Sequence, residues 1–306
     1  GGASLTLSAF GTTTLYDTVG TTNALANLNT DAFGSTVING GSVNTTGAQT
    51  YNNSVTLGAD TTLAAGTNLT LADTVDGAQA LTLNDSGTTT LGGAVGGTTA
   101  LTSLTTDAAG STALNGGSVT TTAAQTYNDA VTLGADTVLS GTNLTFGSTV
   151  GISGAGGNLE LTAADLTMSS TINLGANDLT ITESEDEGFG LGTALGGGRI
   201  DITDAKLGQI TANNLILNTG GEITVDNVTA GNTANISGTV TLNSSNTGGS
   251  GILFQNNAST FSNALTTESD DRITVNVDVT TTGAQTYKDA VTLGADTTLS
   301  GTDLTF

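Results

Sequence analysis

The chain has 306 residues with 27 acidic side chains against 4 basic ones, a formal charge of −23, and no His, Cys, Pro or Trp. That charge repels phosphate backbones and anionic lipid surfaces, which argues against nucleic acid as a partner, and the missing His and Cys exclude Ser-His-Asp and Cys-His catalysis and the usual zinc sites. An apolar share of 36% with 44 Gly suits a slender, uniformly thin core better than a rounded globule, and no run of about 18 apolar residues is present to cross a bilayer as a helix.

Taken from the start, residues 5–63 repeat as residues 81–139 at a constant offset of 76. Leu5-Thr6-Leu7 falls over Leu81-Thr82-Leu83, and Asn39-Gly40-Gly41-Ser42-Val43 over Asn115-Gly116-Gly117-Ser118-Val119. A signature stretch, residues 119–146, has close relatives at residues 43–71 and 279–306. Val-Thr-Leu-Gly-Ala-Asp-Thr is unchanged in all three, at 55–61, 131–137 and 291–297, each time preceded by Gln-Thr-Tyr. A fixed period of this kind marks one structural unit copied along an axis.

Inside the repeat, strand-like triplets such as Val55-Thr56-Leu57 and Leu69-Thr70-Leu71 recur every six or seven residues, separated by Gly, Asn, Asp and Ser. Regular alternation of Val, Leu and Ile with Thr argues against disorder. Strands this short cannot pair as long hairpins, and no helical stretch is available for βαβ crossovers. Winding the chain as a coil solves both problems, because each triplet then stacks on its equivalent one turn later as a parallel strand. The fold expected is all-β, a right-handed parallel β-helix (β-solenoid) with about 19–20 residues and three short strands per coil. Four coils of 19 account for the offset of 76, and about 16 coils account for the whole chain, as a rod of roughly 75 Å. Alternation puts Val55, Leu57, Val131 and Leu133 in the lumen with Thr56 and Thr132 outside.

The organisation expected is a single continuous solenoid over 1–306: two copies of the repeat in 1–146, diverged coils in 147–278 and a third signature copy in 279–306. The diverged block keeps the strand rhythm, as in Asp178-Leu179-Thr180-Ile181 and Glu222-Ile223-Thr224-Val225, and it contains every Glu together with Arg199, Lys206 and Arg272. It is therefore the first place to look for specific recognition. Gly1 to Leu7 matches Gly77 to Leu83, and Phe306 closes a signature unit. Both ends look cut through a continuing array, so a segment of a longer fibre, or a subunit that stacks axially or laterally on itself, is expected.

Strands of the Asn-Leu-Thr-Leu and Asp-Leu-Thr-Ile type joined by Gly/Ala/Asn turns, as at residues 157–166 and 176–182, resemble the β-helical repeats of filamentous haemagglutinin-like exoproteins and autotransporter-type adhesins. The resemblance covers nearly the whole chain and lies in pattern rather than in a diagnostic motif. It implies a right-handed coil and a bacterial surface or secreted protein that mediates adhesion or builds extracellular matrix, with self-association and host or surface glycans as partners and no membrane insertion.

For chemistry, Glu183-Ser184-Glu185-Asp186-Glu187 packs four carboxylates into five residues. Such a run cannot be a buried strand, and oxygen-rich loops attract calcium. Glu183, Glu185, Asp186 and Glu187 are thus a candidate calcium loop, with a plainly solvated acidic loop as the alternative and no other cofactor implied. Asp201 with Asp204 is a carboxylate pair of the type glycoside hydrolysis needs, and Arg199 with Lys206 is the only close basic pair. Thr12-Thr13-Thr14, Thr88-Thr89-Thr90 and Thr120-Thr121-Thr122 invite an ice-binding interpretation. Tyr51, Tyr127 and Tyr287 are expected at one repeating corner rather than in an aromatic track for sugars. A non-enzymatic extracellular fibre is favoured over a carbohydrate-active β-helix enzyme or an ice- or ligand-binding solenoid. The face assignment is tested by two substitutions. Leu133→Asp should cost more than about 3 kcal/mol by placing a charge in a dry interior, and Thr132→Asp should leave the thermal denaturation midpoint nearly unchanged.

Overall fold

The computed structural model of the protein describes residues 2–154 and 156–306. The chain folds as two compact units, Gly1–Gly157 and Asn158–Phe306. Each is a β-solenoid, and among the described residues they hold about 15 turns of parallel strands and two short helices, Asp204–Leu207 and Ala230–Thr233.

In the first unit most turns lay down three short strands, one on each of three faces, and isolated bridges at Val19 and Val95 hold the place of a strand in two of them. The alternation of apolar residues with Thr produces this directly. A strand's inward side chain meets the inward side chain of the same strand one turn later, so columns form along the lumen. One column runs Thr36, Val55, Val75, Val95, Val119 and Leu139, each directly over the next and each at most 2% exposed. Removing a leucine or valine of this kind from water is worth about 1.5–3 kcal/mol. Val131 and Leu133 are buried in a neighbouring column while Thr132 lies half-buried between them, as the alternation predicts.

The relation between repeat and turn differs from four coils of 19. Leu5 pairs with Leu28, Leu28 with Gln49 and Gln49 with Leu69, which is three full turns on one face. Leu81, the repeat mate of Leu5, stands two faces further on, between Thr61 and Leu104. One copy of the repeat therefore covers three and two-thirds turns, and the average turn is longer than the triplet spacing alone suggests. Turn length is also uneven. Thr112 and Val131 are partners one turn apart, as are Val95 and Val119, and the second pair is the more widely separated along the chain. The longest turns of this unit pass through the loops at residues 20–24 and 96–100, which act as one insertion per repeat. Both loops begin with a glycine at positive φ, Gly20 and Gly96, and a Cβ on either would collide with a carbonyl oxygen of the adjacent turn, that of Asn44 or Thr120. Only glycine fits there.

The repeated Gln-Thr-Tyr turns out to be an internal latch, not a corner. Tyr51 and Tyr127 are fully buried in strands Gln49–Tyr51 and Gln125–Tyr127. The Gln125 side-chain amide donates to the carbonyls of Val119 (3.0 Å) and Ser140 (2.8 Å), tying two turns, and its oxygen accepts the Tyr127 hydroxyl at 3.0 Å. Gln49 does the same with Val43, Ala64 and Tyr51. Because the repeat turns by one face per copy, the first latch sits on the face of Leu69 and the second on the face of Leu104 and Leu144.

The second unit keeps the inward and outward alternation but varies the turn more widely. Leu159 pairs with Leu179 across an ordinary turn, whereas the next turn, from Leu179 to its partner Leu215, is nearly twice as long. The long turn carries the acidic run, the strand Phe189–Gly192 and the helix Asp204–Leu207. Phe189–Gly192 pairs on one side with Ile200–Thr203 and on the other with Ile223–Val225. The third latch is here, with Gln285 donating to Val279 and Ser300 and accepting from Tyr287. Replacing Gln125 with Leu strands two buried carbonyls and a phenol, whereas Tyr127→Phe strands only one amide oxygen. Urea denaturation should therefore show a loss of about 3 kcal/mol or more for the first and about 1 kcal/mol for the second.

Candidate functional site: the acidic loop and the buried aspartates

Glu183 ends the strand Leu179–Glu183 with its side chain turned inward and only 2% exposed. Its carboxylate accepts the backbone N–H groups of Glu185 (2.6 Å) and Gly188 (3.1 Å) and the Thr219 hydroxyl (2.9 Å). It is the anchor that folds the loop, and those donors occupy its oxygens. Glu185, Asp186 and Glu187 point into solvent, with Asp186 in the left-handed region at φ 60°. The four carboxylates are thus divided between inside and outside. Among the described residues no group of three or more His, Cys, Asp or Glu comes together in a way that could hold a metal ion. A shallow groove of about 500 Å³ beside the loop is lined by Glu183, Asp186, Glu268 and Asp270 together with Asn218 and Asn243.

The other sequence candidates are likewise engaged in holding the long turn. Asp201 accepts the N–H groups of Leu195 (3.0 Å) and Gly196 (2.9 Å), and Asp204 accepts Thr229 N–H (2.7 Å), the Thr229 hydroxyl (2.8 Å) and the Asn232 amide (2.7 Å). Arg199 donates to the Thr224 hydroxyl at 3.0 Å and pairs with Glu222 at 3.5 Å, while the Lys206 ammonium donates to the Asp201 carbonyl at 2.9 Å. These contacts fix backbone geometry around a segment too irregular to satisfy itself by strand pairing.

The threonine rows draw only Thr90 from the Thr-Thr-Thr runs. Thr62, Thr82, Thr105, Thr126 and Thr145, each from a different strand, stand in unbroken register on one face of the first unit. On another face Thr50, Thr70 and Thr90 do the same. In the runs themselves the middle residues Thr89 and Thr121 are buried. Each such row is a single rank rather than a pair of ranks two residues apart.

Comparison of the chain with protein-family models, with curated proteins and with solved structures returned no match. The β-solenoid therefore stands on its strand registers alone.

Sequence reasoning passed over three aspartates that the structure buries, Asp85, Asp129 and Asp226. Asp129 is 3% exposed and accepts the hydroxyls of Thr106 (2.7 Å) and Thr112 (2.8 Å). Burial raises its pKa above the ordinary carboxylate value, the two hydroxyls pull against that rise, and the Asp107 charge adds to it. Asp85 is raised too, by burial first, with the Thr89 hydroxyl opposing and Asp107 reinforcing. The repeat contains its own control, because Asn53 occupies the position of Asp129 one repeat earlier. Asn53 accepts from Thr30 (3.2 Å) and Thr36 (2.9 Å), and its amide also donates to the Phe33 carbonyl at 2.9 Å. A carboxylate has no such donor.

A carboxyl whose pKa is higher folded than unfolded binds its proton more tightly in the native state. Stability is then greatest below the ordinary carboxylate range and falls as pH rises through it. Asp129→Asn should accordingly stabilise the protein at neutral pH, by about 1 kcal/mol from the regained hydrogen bond alone. Thermal denaturation as a function of pH should show the gain shrinking as pH falls from neutral toward about 4 and no further change below that.

Proposed function

We propose that this chain is a structural and adhesive fibre protein of a bacterial cell surface or extracellular matrix, whose copies associate with one another and meet surface glycans. The observation that supports this most is the rotation of the repeat. Within the first unit each copy advances by three and two-thirds turns, so equivalent side chains of successive copies lie on different faces. An ice-ordering surface needs its ranks side by side on one plane, and an active site needs its groups to converge. A repeat that moves on by one face per copy instead distributes the same residues around the axis, which suits a body that meets neighbours from several directions. The resemblance of the Asn-Leu-Thr-Leu type strands to filamentous haemagglutinin-like exoproteins and autotransporter-type adhesins points the same way.

Negative-stain electron microscopy of the purified protein tests the proposal. Filaments or lateral bundles whose number grows with protein concentration are expected, together with retention on glycan-coated surfaces. Monodisperse particles at every concentration, with no retention, would count against it.

A further inference from the structure

A pair of carboxylates in the first unit is arranged unlike anything in the repeat before it. Asp85 ends the strand Ala80–Asp85 and is 4% exposed. One of its oxygens accepts the Thr89 hydroxyl, but Oδ2 is sealed from solvent and has no hydrogen-bond partner. Asp107 stands on the next turn, where its backbone N–H donates to the Leu83 carbonyl at 3.0 Å. Its side chain reaches back far enough for Oδ1 to accept the Asp85 N–H at 3.3 Å. Both aspartates line an open groove of about 520 Å³, to which Asn84 and Ser86 also contribute.

No side chain in this unit can neutralise the pair. The four basic residues of the chain, Arg199, Lys206, Arg272 and Lys288, all lie beyond residue 157. One repeat earlier the two positions are Ala9 and Asp31, and that single carboxylate is satisfied by the Ser8 hydroxyl at 2.6 Å. The second repeat thus has a buried carboxylate beside an existing one, with the Thr89 hydroxyl on one of its oxygens and no donor on Oδ2. A desolvated carboxylate oxygen with no partner is costly, and oxygen ligands of this kind, carboxylate, amide and hydroxyl together, are the ones hard cations take.

We propose that Asp85 and Asp107 form a binding site for a hard divalent cation of the calcium class, with Asn84, Ser86 and water completing its coordination. The site is distinct from the acidic loop at residues 183–187 and independent of the fibre proposal.

Isothermal titration of calcium chloride into the full chain at neutral pH, paired with thermal denaturation at increasing calcium, tests this. Saturable one-to-one binding and a calcium-dependent rise in Tm are expected, both lost in Asp85→Ala and in Asp107→Ala. Alanine stands at the first position in the preceding repeat, so Asp85→Ala keeps the fold, which circular dichroism checks. Asp73→Ala, which removes an exposed carboxylate, should bind as the parent does. The proposal is overturned by the absence of saturable calcium binding. It is equally overturned if Asp85→Ala binds undiminished, if Asp73→Ala loses as much as Asp85→Ala, or if stability responds to pH but not to calcium.

Discussion

Parallel stacking in register is the constraint on which everything else in this molecule rests. Each strand is three to six residues long in most turns and has no stability alone, so it persists only because the turns before and after place like side chains above and below it. The column from Thr36 through Val119 to Leu139 shows the consequence: a lumen filled by residues that meet their own counterparts one turn on. A change of one residue in register would turn each of these side chains outward. The chain therefore absorbs variation in length between strands, at loops such as residues 20–24 and 96–100, and leaves the strands themselves unaltered.

A core this narrow has little room for polar atoms, and the few it holds are paired with care. Gln49, Gln125 and Gln285 each reach across to carbonyls of two successive turns and receive a tyrosine hydroxyl in return. The aromatic ring supplies bulk while its hydroxyl completes the amide's needs. Tyr127 also stacks on Phe146 of the next turn, with ring centroids 5.6 Å apart. Glu183 and Asp226 do comparable work where the second unit departs from regular winding, each collecting donors from a loop that strand pairing cannot satisfy. Most of the carboxylates that look like chemistry in a linear sequence are here parts of the scaffold.

That division explains what could be read from the sequence and what could not. Alternation and the six- to seven-residue rhythm are local, so the strands, their inward faces and the parallel winding were all legible from segments such as Val131-Thr132-Leu133. The number of turns per repeat was not, because it depends on where an insertion falls, and a mean spacing hides one uneven loop. The latch was visible as an invariant Gln-Thr-Tyr, but only three-dimensional placement shows that the glutamine side chain spans two turns. Glu183 and Asp129 carry the same letters as solvated neighbours. The one sequence signal for Asp129 is that its repeat mate is Asn53, flanked at the same distances by Thr30 and Thr36.

The comparison of repeat mates also separates what the fold needs from what it leaves free. Inward residues hardly change between copies: Val43 and Val119, Leu57 and Leu133, Tyr51 and Tyr127. Outward corners change without restraint. Phe10 and Phe33, exposed and packed on one another with ring centroids 5.1 Å apart, have Ser86 and Ala109 as their mates, and exposed Tyr16 has Gly92. The same winding therefore supports an aromatic corner in one copy and a small, polar one in the next. Since the lumen sets stability and the corners do not, surface chemistry in such a chain can diverge copy by copy at almost no cost to folding. Asp129 in place of Asn53 and Asp85 in place of Ala9 are the cases where that freedom reached inward, and at Asp85 it left a carboxylate oxygen with no partner in the polypeptide.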